Sequence, residues 1–261
     1  IKQAKLQGLS RRDLKKQMDL YRRGAQSLEL VRPCTVGDGI MTVTPRARKR
    51  FVELFERLSP RHKTIKFVPA SGAASRMFAG WFQAAQEGSF ADAHEEKKFY
   101  RDLKKMPFAP LLHASEKARR HIKEKNTAAL LSYILTGDGL NYGWLPKALI
   151  HFHAYPGGAI ATALEEHLVE AASYLGDAAG RCRVHLTVSP EHRRAIRARV
   201  NRIKAALEKE FNVRIKVDLS VQSSSTNIIA VNEDLSPFRN EEGRAVFRPG
   251  VLQPRLGRGR A

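Results

Sequence analysis

An arginine that follows a run of small residues at the end of an apolar stretch is a candidate phosphate grip. Here Phe67-Val68-Pro69 leads into Ala70-Ser71-Gly72-Ala73-Ala74-Ser75-Arg76-Met77. Small side chains let backbone N–H groups approach a ligand closely, and a helix N-terminus favours an anion. Met77, Phe78, Trp81 and Phe82 have the spacing of an amphipathic helix. That helix puts Arg76 in its first turns, where a guanidinium can hold phosphate oxygens in pairs. The alternative for Gly72 and Arg76 is a structural strand-to-helix turn with a surface arginine. Two better-known phosphate loops do not fit: there is no GxxxxGK followed by Ser or Thr, and Gly72 is alone where a dinucleotide fingerprint needs three glycines. Ser71 and Ser75 stand in no G-x-S-x-G elbow.

Other polar groups sit at the ends of apolar runs. Lys147 precedes Ala148-Leu149-Ile150, and Gln222 follows the alternating stretch that ends at Val221, with Thr226 and Asn227 close behind it in a polar loop. His151 and His153 flank Phe152 and so share one face of a strand. With no carboxylate or third histidine visibly beside them, the spacing favours ordinary polar contacts over a metal pair.

These residues need strands and helices to hold them. Ser10 and Asp13 open a helix as a capping box, and Gly24 closes it. A second helix runs over 45–58, with Phe51, Leu54, Phe55 and Leu58 at helical spacing. After the small-residue turn, 88–143 reads as charged and helical, with helices near 95–104, 116–125 and 127–135, broken by Gly137-Asp138-Gly139 and Asn141-Tyr142-Gly143. Lys147 to Ile150 predicts a loop entering a buried strand, and Tyr155-Pro156-Gly157-Gly158 a turn. Thr162-Ala163-Leu164-Glu165 is a second capping box. A strand over 184–188 leads through Ser189-Pro190-Glu191 into a long helix ending near Phe211, and 213–221 alternates as a strand. Strand, helix, strand, helix, strand is the α/β pattern, with a mostly parallel central sheet flanked by helices. Ligands of such sheets bind at the carboxyl ends of the strands. The chain divides into an N-terminal helical arm over 1–62, an α/β domain over 63–250 with a helical insertion at about 88–143, and an irregular basic tail over 251–261.

The net charge of +20 over 261 residues suits polyanionic partners. Much of it is Arg on ordinary amphipathic helices, such as Arg193, Arg194, Arg197, Arg199 and Arg202, and no basic motif interleaved with aromatics occurs. Nucleic-acid binding is therefore an open but disfavoured class. No apolar run is long enough to span a bilayer, which predicts no membrane partner. Two cysteines without a CxxC pair argue against a disulfide scaffold or a zinc module and fit a reducing cytoplasm. The start is polar, with no signal peptide, and lacks an initiator Met: a trimmed start, an unusual start codon or a fragment.

Several phrases together carry a resemblance. Phe67 to Phe78 (F-V-P-A-S-G-A-A-S-R-M-F), Leu145 to Tyr155 (L-P-K-A-L-I-x-F-H-x-Y) and Phe247 to Gly250 (F-R-P-G) resemble, in order, the bacterial "domain of unknown function 4301" family. The likeness covers about 8–250. The small-residue loop with Arg76 and Met77, the Pro146-Lys147 pair entering a strand, and T-A-L-E-E-H-L-V-E from Thr162 to Glu170 are in turn similar to GT-A-like sugar-phosphate nucleotidyltransferases. That resemblance implies an incomplete nucleotidyltransferase fold. It implies binding of a nucleoside triphosphate or nucleotide sugar, and transfer of a nucleotidyl group to a phosphorylated small molecule with Mg²⁺. Arg76 would then neutralise the leaving pyrophosphate, and Lys147 would hold the attacking or transferred phosphate. Backbone N–H groups over Ala70, Ser71, Gly72, Ala73, Ala74 and Ser75 would cradle phosphates, with Gln222 and Thr226 placed for the base or sugar. A catalytically inactive binding fragment is the alternative. The sequence departs from the nucleotidyltransferase pattern at Ala74, where a glycine is usual. It departs again in the roughly seventy residues before Pro146-Lys147, where about a dozen are usual, and no Mg²⁺-binding aspartate is placed. Past Phe247-Arg248-Pro249-Gly250 the family pattern is lost, which predicts a truncated or frameshifted reading frame.

Overall fold

The computed structural model describes residues 2–24, 30–74 and 76–248. The basic tail over 251–261 lies outside the described residues. In chain order come α1 (Lys2–Leu6), α2 (Arg11–Arg23), a small pair β1 (Thr35–Val36) and β2 (Gly39–Ile40), and α3 (Pro45–Leu58). Then follow β3 (Lys66–Pro69), α4 (Ala79–Glu87), α5 (Ala93–Leu103), α6 (Ala109–Ala114), α7 (Glu116–Lys123) and α8 (Thr127–Leu135). The remainder is β4 (His151–Ala154), β5 (Ile160–Thr162), α9 (Ala163–Tyr174), β6 (Arg181–Val188), α10 (Arg193–Glu210), β7 (Arg214–Val221), β8 (Ile228–Ile229) and β9 (Phe247–Arg248). The chain forms two compact units, one of Ile1–Arg48 with Gln222–Ala261, the other of Lys49–Val221.

In the larger unit a small parallel sheet runs in the order β3-β6-β7. Alternation along β6 decides its two faces: Cys182, Val184, Leu186 and Val188 are buried, while Arg183, His185 and Thr187 are half-exposed. The buried face, extended by Val68 and Ile215, packs against Leu164, Leu168 and Ala171 of α9 and Ile196 and Val200 of α10. Both capping-box partners at the start of α9 are in place, with Thr162 Oγ1 accepting from Glu165 N and Glu165 Oε2 accepting from Thr162 N. The sequence pattern predicts helices flanking the sheet. Those that pack on it, α9 and α10, share the one apolar face. The other face carries Phe67, stacked on His185 at 5.5 Å, with Thr187, Ser220, Lys216 and Asp218. Polar side chains at those alternate positions gain nothing from a covering helix, so the fold is α/β in two layers here.

The segment after Lys147 corrects a second expectation. Lys147–Leu149 is one turn of 3₁₀-helix, and β4 is half-exposed rather than buried. It pairs antiparallel with β5, outside the parallel sheet. The cause is the connection: Tyr155 N donates to Ala159 O across a tight Pro156-Gly157-Gly158 turn, and so short a link permits only an antiparallel neighbour.

A second core lies among the helices. Phe78, Ala84, Phe99, Leu103, Phe108, Leu112, Leu130, Leu131, Ile134 and Tyr142 are buried together. The rings of Trp81 and Phe99 meet edge to face at 5.3 Å, as do Phe108 and Tyr142 at 5.1 Å. The helix that the small-residue turn feeds, α4, belongs to this core and not to the sheet layer. Its apolar side chains Trp81, Phe82 and Ala84 find their partners there. Leu145 packs against both cores.

In the smaller unit, Ser10 N-caps α2 with Asp13 as its capping-box partner, and the Gly24 N–H donates to Tyr21 O. Gln17 of α2 then pairs with the backbone at and just before β8: its Nε2 donates to Asn227 O and its Oε1 accepts from Ile229 N, both at 3.0 Å. Tyr21 Oη donates to Ile229 O at 2.8 Å. Ser10→Ala is expected to cost about 1 kcal/mol, seen as a lower denaturation midpoint with an unchanged slope. Among the described residues no helix is long and apolar enough to cross a membrane.

Candidate functional site

The site is built at the carboxyl end of β3. Ala70 N donates to Thr187 O at 2.7 Å, which carries the edge strand one residue past Pro69. The chain then leaves the sheet. Ser71 is half-buried, Gly72 and Ala73 are exposed, and Ala74 is fully buried in the helical core. The Ala74 carbonyl accepts from both Met77 N (2.8 Å) and Phe78 N (3.3 Å), closing a tight turn before α4 begins at Ala79. Arg76 therefore sits in that turn and is exposed, ahead of the helix rather than in its first turns. Burial of the Ala74 methyl anchors the turn and delays the helix. Ser75 lies outside the described residues. An added Cβ at Gly72 would meet nothing within 4 Å, so the fold itself does not require glycine at this position.

The chain returns to the turn at Pro146. Ala73 and Pro146 form an antiparallel bridge, and Lys147 N donates to Gly72 O at 3.0 Å. The Lys147 side chain is exposed, and its carbonyl accepts from Ile150 N to close the 3₁₀ turn. Two segments far apart in sequence are thus joined by backbone hydrogen bonds, with two exposed cationic side chains, Arg76 and Lys147, on them. At the carboxyl end of β6, Ser189 is 9% exposed, and its Oγ neither caps the following 3₁₀ turn nor finds another partner.

Gln222 and Thr226 belong to the smaller unit. Gln222 directly follows β7, and its Nε2 donates to Thr226 Oγ1 at 3.3 Å. Thr226 Oγ1 in turn donates to Ser223 O at 2.7 Å.

The histidine pair makes ordinary polar contacts. His151 Nδ1 lies 3.0 Å from Tyr142 Oη. Burial, then the Arg199 charge, lower the His151 pKa, and burial pushes the Tyr142 phenol up to about 12. His153 Nδ1 lies 3.0 Å from Glu166 Oε1, which also accepts from Tyr155 Oη at 2.6 Å. That hydrogen bond to a carboxylate pushes Tyr155 up to about 12. A carboxylate does stand beside His153, then; sequence reasoning missed Glu166 because it comes from α9, across the hairpin. The one available signal was its place next to Glu165 of the capping box.

The donors for Mg²⁺ are sparse. Neither 70–74 nor 145–149 contains a carboxylate. Among the described residues no three His, Cys, Asp or Glu side chains gather as a metal site. These segments do not fit a protein-held Mg²⁺.

Comparison with known proteins gives one finding. No curated protein and no solved structure matches the chain. The family described as "Domain of unknown function (DUF4301)" matches residues 1–252, and with nearly its whole length matched, the chain belongs to that family.

Proposed function

We propose that the turn over 70–74, with Arg76 and Lys147, binds the phosphates of a nucleoside triphosphate or nucleotide sugar, in the manner of GT-A-like nucleotidyltransferases. One observation carries this reading: the Lys147 N–H to Gly72 carbonyl bond joins two of the three segments on which the resemblance rests. In this reading a sugar-phosphate oxygen attacks the α-phosphorus, a P–O bond forms as the α–β bridge bond breaks, and pyrophosphate leaves in line. The protein's work is positioning and charge neutralisation. Backbone N–H groups of the turn beyond Ala70, whose own N–H is given to Thr187 O, take phosphate oxygens, Arg76 faces the departing pyrophosphate, and Lys147 holds the attacking or transferred phosphate. Any Mg²⁺ arrives on the nucleotide, whose phosphates and waters supply most of its ligands. Ala74, buried where the nucleotidyltransferase loop usually has a glycine, favours a second reading, a protein that binds the nucleotide without turning it over.

A thermal-shift panel tests the proposal. Nucleoside triphosphate or nucleotide sugar at a hundred times Kd is expected to add roughly 2.7 kcal/mol of stability. Gly72→Ala and Arg76→Ala are expected to abolish the response while leaving the ligand-free melting temperature unchanged, because the added methyl group and the lost guanidinium both face open space. Pyrophosphate release then separates enzyme from binder. No response to any nucleotide, alongside DNA or RNA binding with a steep salt slope, defeats the proposal.

A further inference from the structure

A cavity of about 210 Å³, widely open to solvent, lies between the 145–149 segment, the β4–β5 hairpin and α10. At about 30 Å³ per water it has room for about seven waters. That is below the ~300 Å³ of ordinary cofactor sites and too small for a nucleotide. One wall is apolar: Leu145 and Leu149 face Ala195 and Ala198. Ala195, Ala198, Arg199 and Arg202 follow one another at helical spacing, so a single face of α10 presents two small side chains and two guanidinium groups. The alanines create the room and the arginines fix its polarity.

The two arginines differ. Arg199 Nη2 donates to Glu165 Oε2 at 2.8 Å. That oxygen also accepts from Thr162 N at 2.7 Å and Thr162 Oγ1 at 2.8 Å, so the Arg199–Glu165 pair is locked and internally neutral. Arg199 Nε is buried and has no partner, a donor left over at the cavity wall. Arg202 is exposed, and among the described residues no carboxylate forms an ion pair with it. Glu165 does not itself line the cavity. His151 lines it, its pKa lowered by burial and then by the Arg199 charge. The lining therefore carries one uncompensated positive charge beside an apolar wall.

We propose that this cavity binds a small organic monocarboxylate. Arg202 meets the carboxylate through its planar fork, and the leucine–alanine wall takes a short apolar chain. The site is independent of the nucleotide reading: it uses neither Arg76 nor Lys147.

Butyrate, butylamine and inorganic phosphate are titrated into the whole protein by calorimetry. Butyrate is expected to bind, and butylamine and phosphate to bind at least tenfold more weakly or not at all. Arg202→Ala is expected to weaken butyrate roughly tenfold, the loss of one charge-assisted contact. Ala198→Leu fills the cavity and is expected to abolish binding. Both positions are exposed, so the ligand-free melting temperatures of the two variants stay at the parent value. Lys147→Ala leaves butyrate binding intact. No binding of butyrate at millimolar concentration, unchanged binding in Ala198→Leu, or preference for phosphate over butyrate would each overturn the proposal.

Discussion

Gly139→Ala is expected to cost about 3 kcal/mol or more and to loosen the helical core before the sheet. A Cβ at Gly139 would stand 2.0 Å from the Tyr133 carbonyl oxygen and 2.7 Å from Tyr133 Cγ. The first of these is backbone and cannot swing aside. The close approach has a purpose. After α8 the chain doubles back along the helix end, and its amides serve the last carbonyls: Leu140 N to Tyr133 O, Tyr142 N to Ile134 O, Gly143 N to Leu135 O and Asn141 N to Thr136 O. Those carbonyls have no partner within the helix. Alanine at 139 pushes this return segment off, adding an overpacking cost of about 1–3 kcal/mol to hydrogen bonds worth about 1 kcal/mol each. Gly137→Ala is the internal control. Its added Cβ meets nothing within 4 Å, so the effect is expected within about 0.5 kcal/mol. Chemical denaturation measures both, and amide exchange over 133–143 locates the loss. A cost below about 1 kcal/mol for Gly139→Ala would show that the return segment shifts without penalty.

Gly137-Asp138-Gly139 was readable in the sequence as a break, but which glycine is indispensable was not. The distinction depends on a backbone oxygen six residues earlier, and the same division recurs throughout the molecule. Features set by a few neighbouring residues were legible: the capping boxes at Ser10 and Thr162, the helix over 45–58, the alternation of β7. Features that depend on what the chain meets later were not. β4 left the parallel sheet because of a hairpin turn, and α4 went to the helical core because its partners lie on α5 and α8. At the candidate site, the small-residue turn and Pro146-Lys147 were each legible as phrases. Their junction is one bond between the Lys147 N–H and the Gly72 carbonyl, and main-chain groups leave no mark in side-chain type. Arg199 was read as one of several surface arginines, because its partner Glu165 comes from another helix.

Leu186→Ala is expected to be the second large loss, at about 2–5 kcal/mol. Leu186 is fully buried on the central strand, in register with Val68 on one side and Leu219 on the other, beneath both α9 and α10. A cavity there has walls on every side and cannot collapse easily, whereas Leu186→Met keeps the volume and is expected to cost less than about 1.5 kcal/mol. The position also tests whether the two cores melt as one. Trp81 packs in the helical core, so in a Trp144→Phe background, which removes the second tryptophan, its fluorescence reports there, while Leu186 lies in the sheet core. Leu145 packs against both, which makes a single cooperative transition the expected behaviour. Leu186→Ala should then shift the fluorescence midpoint as far as the far-ultraviolet dichroism midpoint. A dichroism transition that moves while the tryptophan signal stays at its parent midpoint would mean that the helical core stands alone. The turn over 70–74, whose Ala70 amide hangs on the Thr187 carbonyl next to Leu186, would then loosen with the sheet at one end while Ala74 stays fixed in the helices at the other.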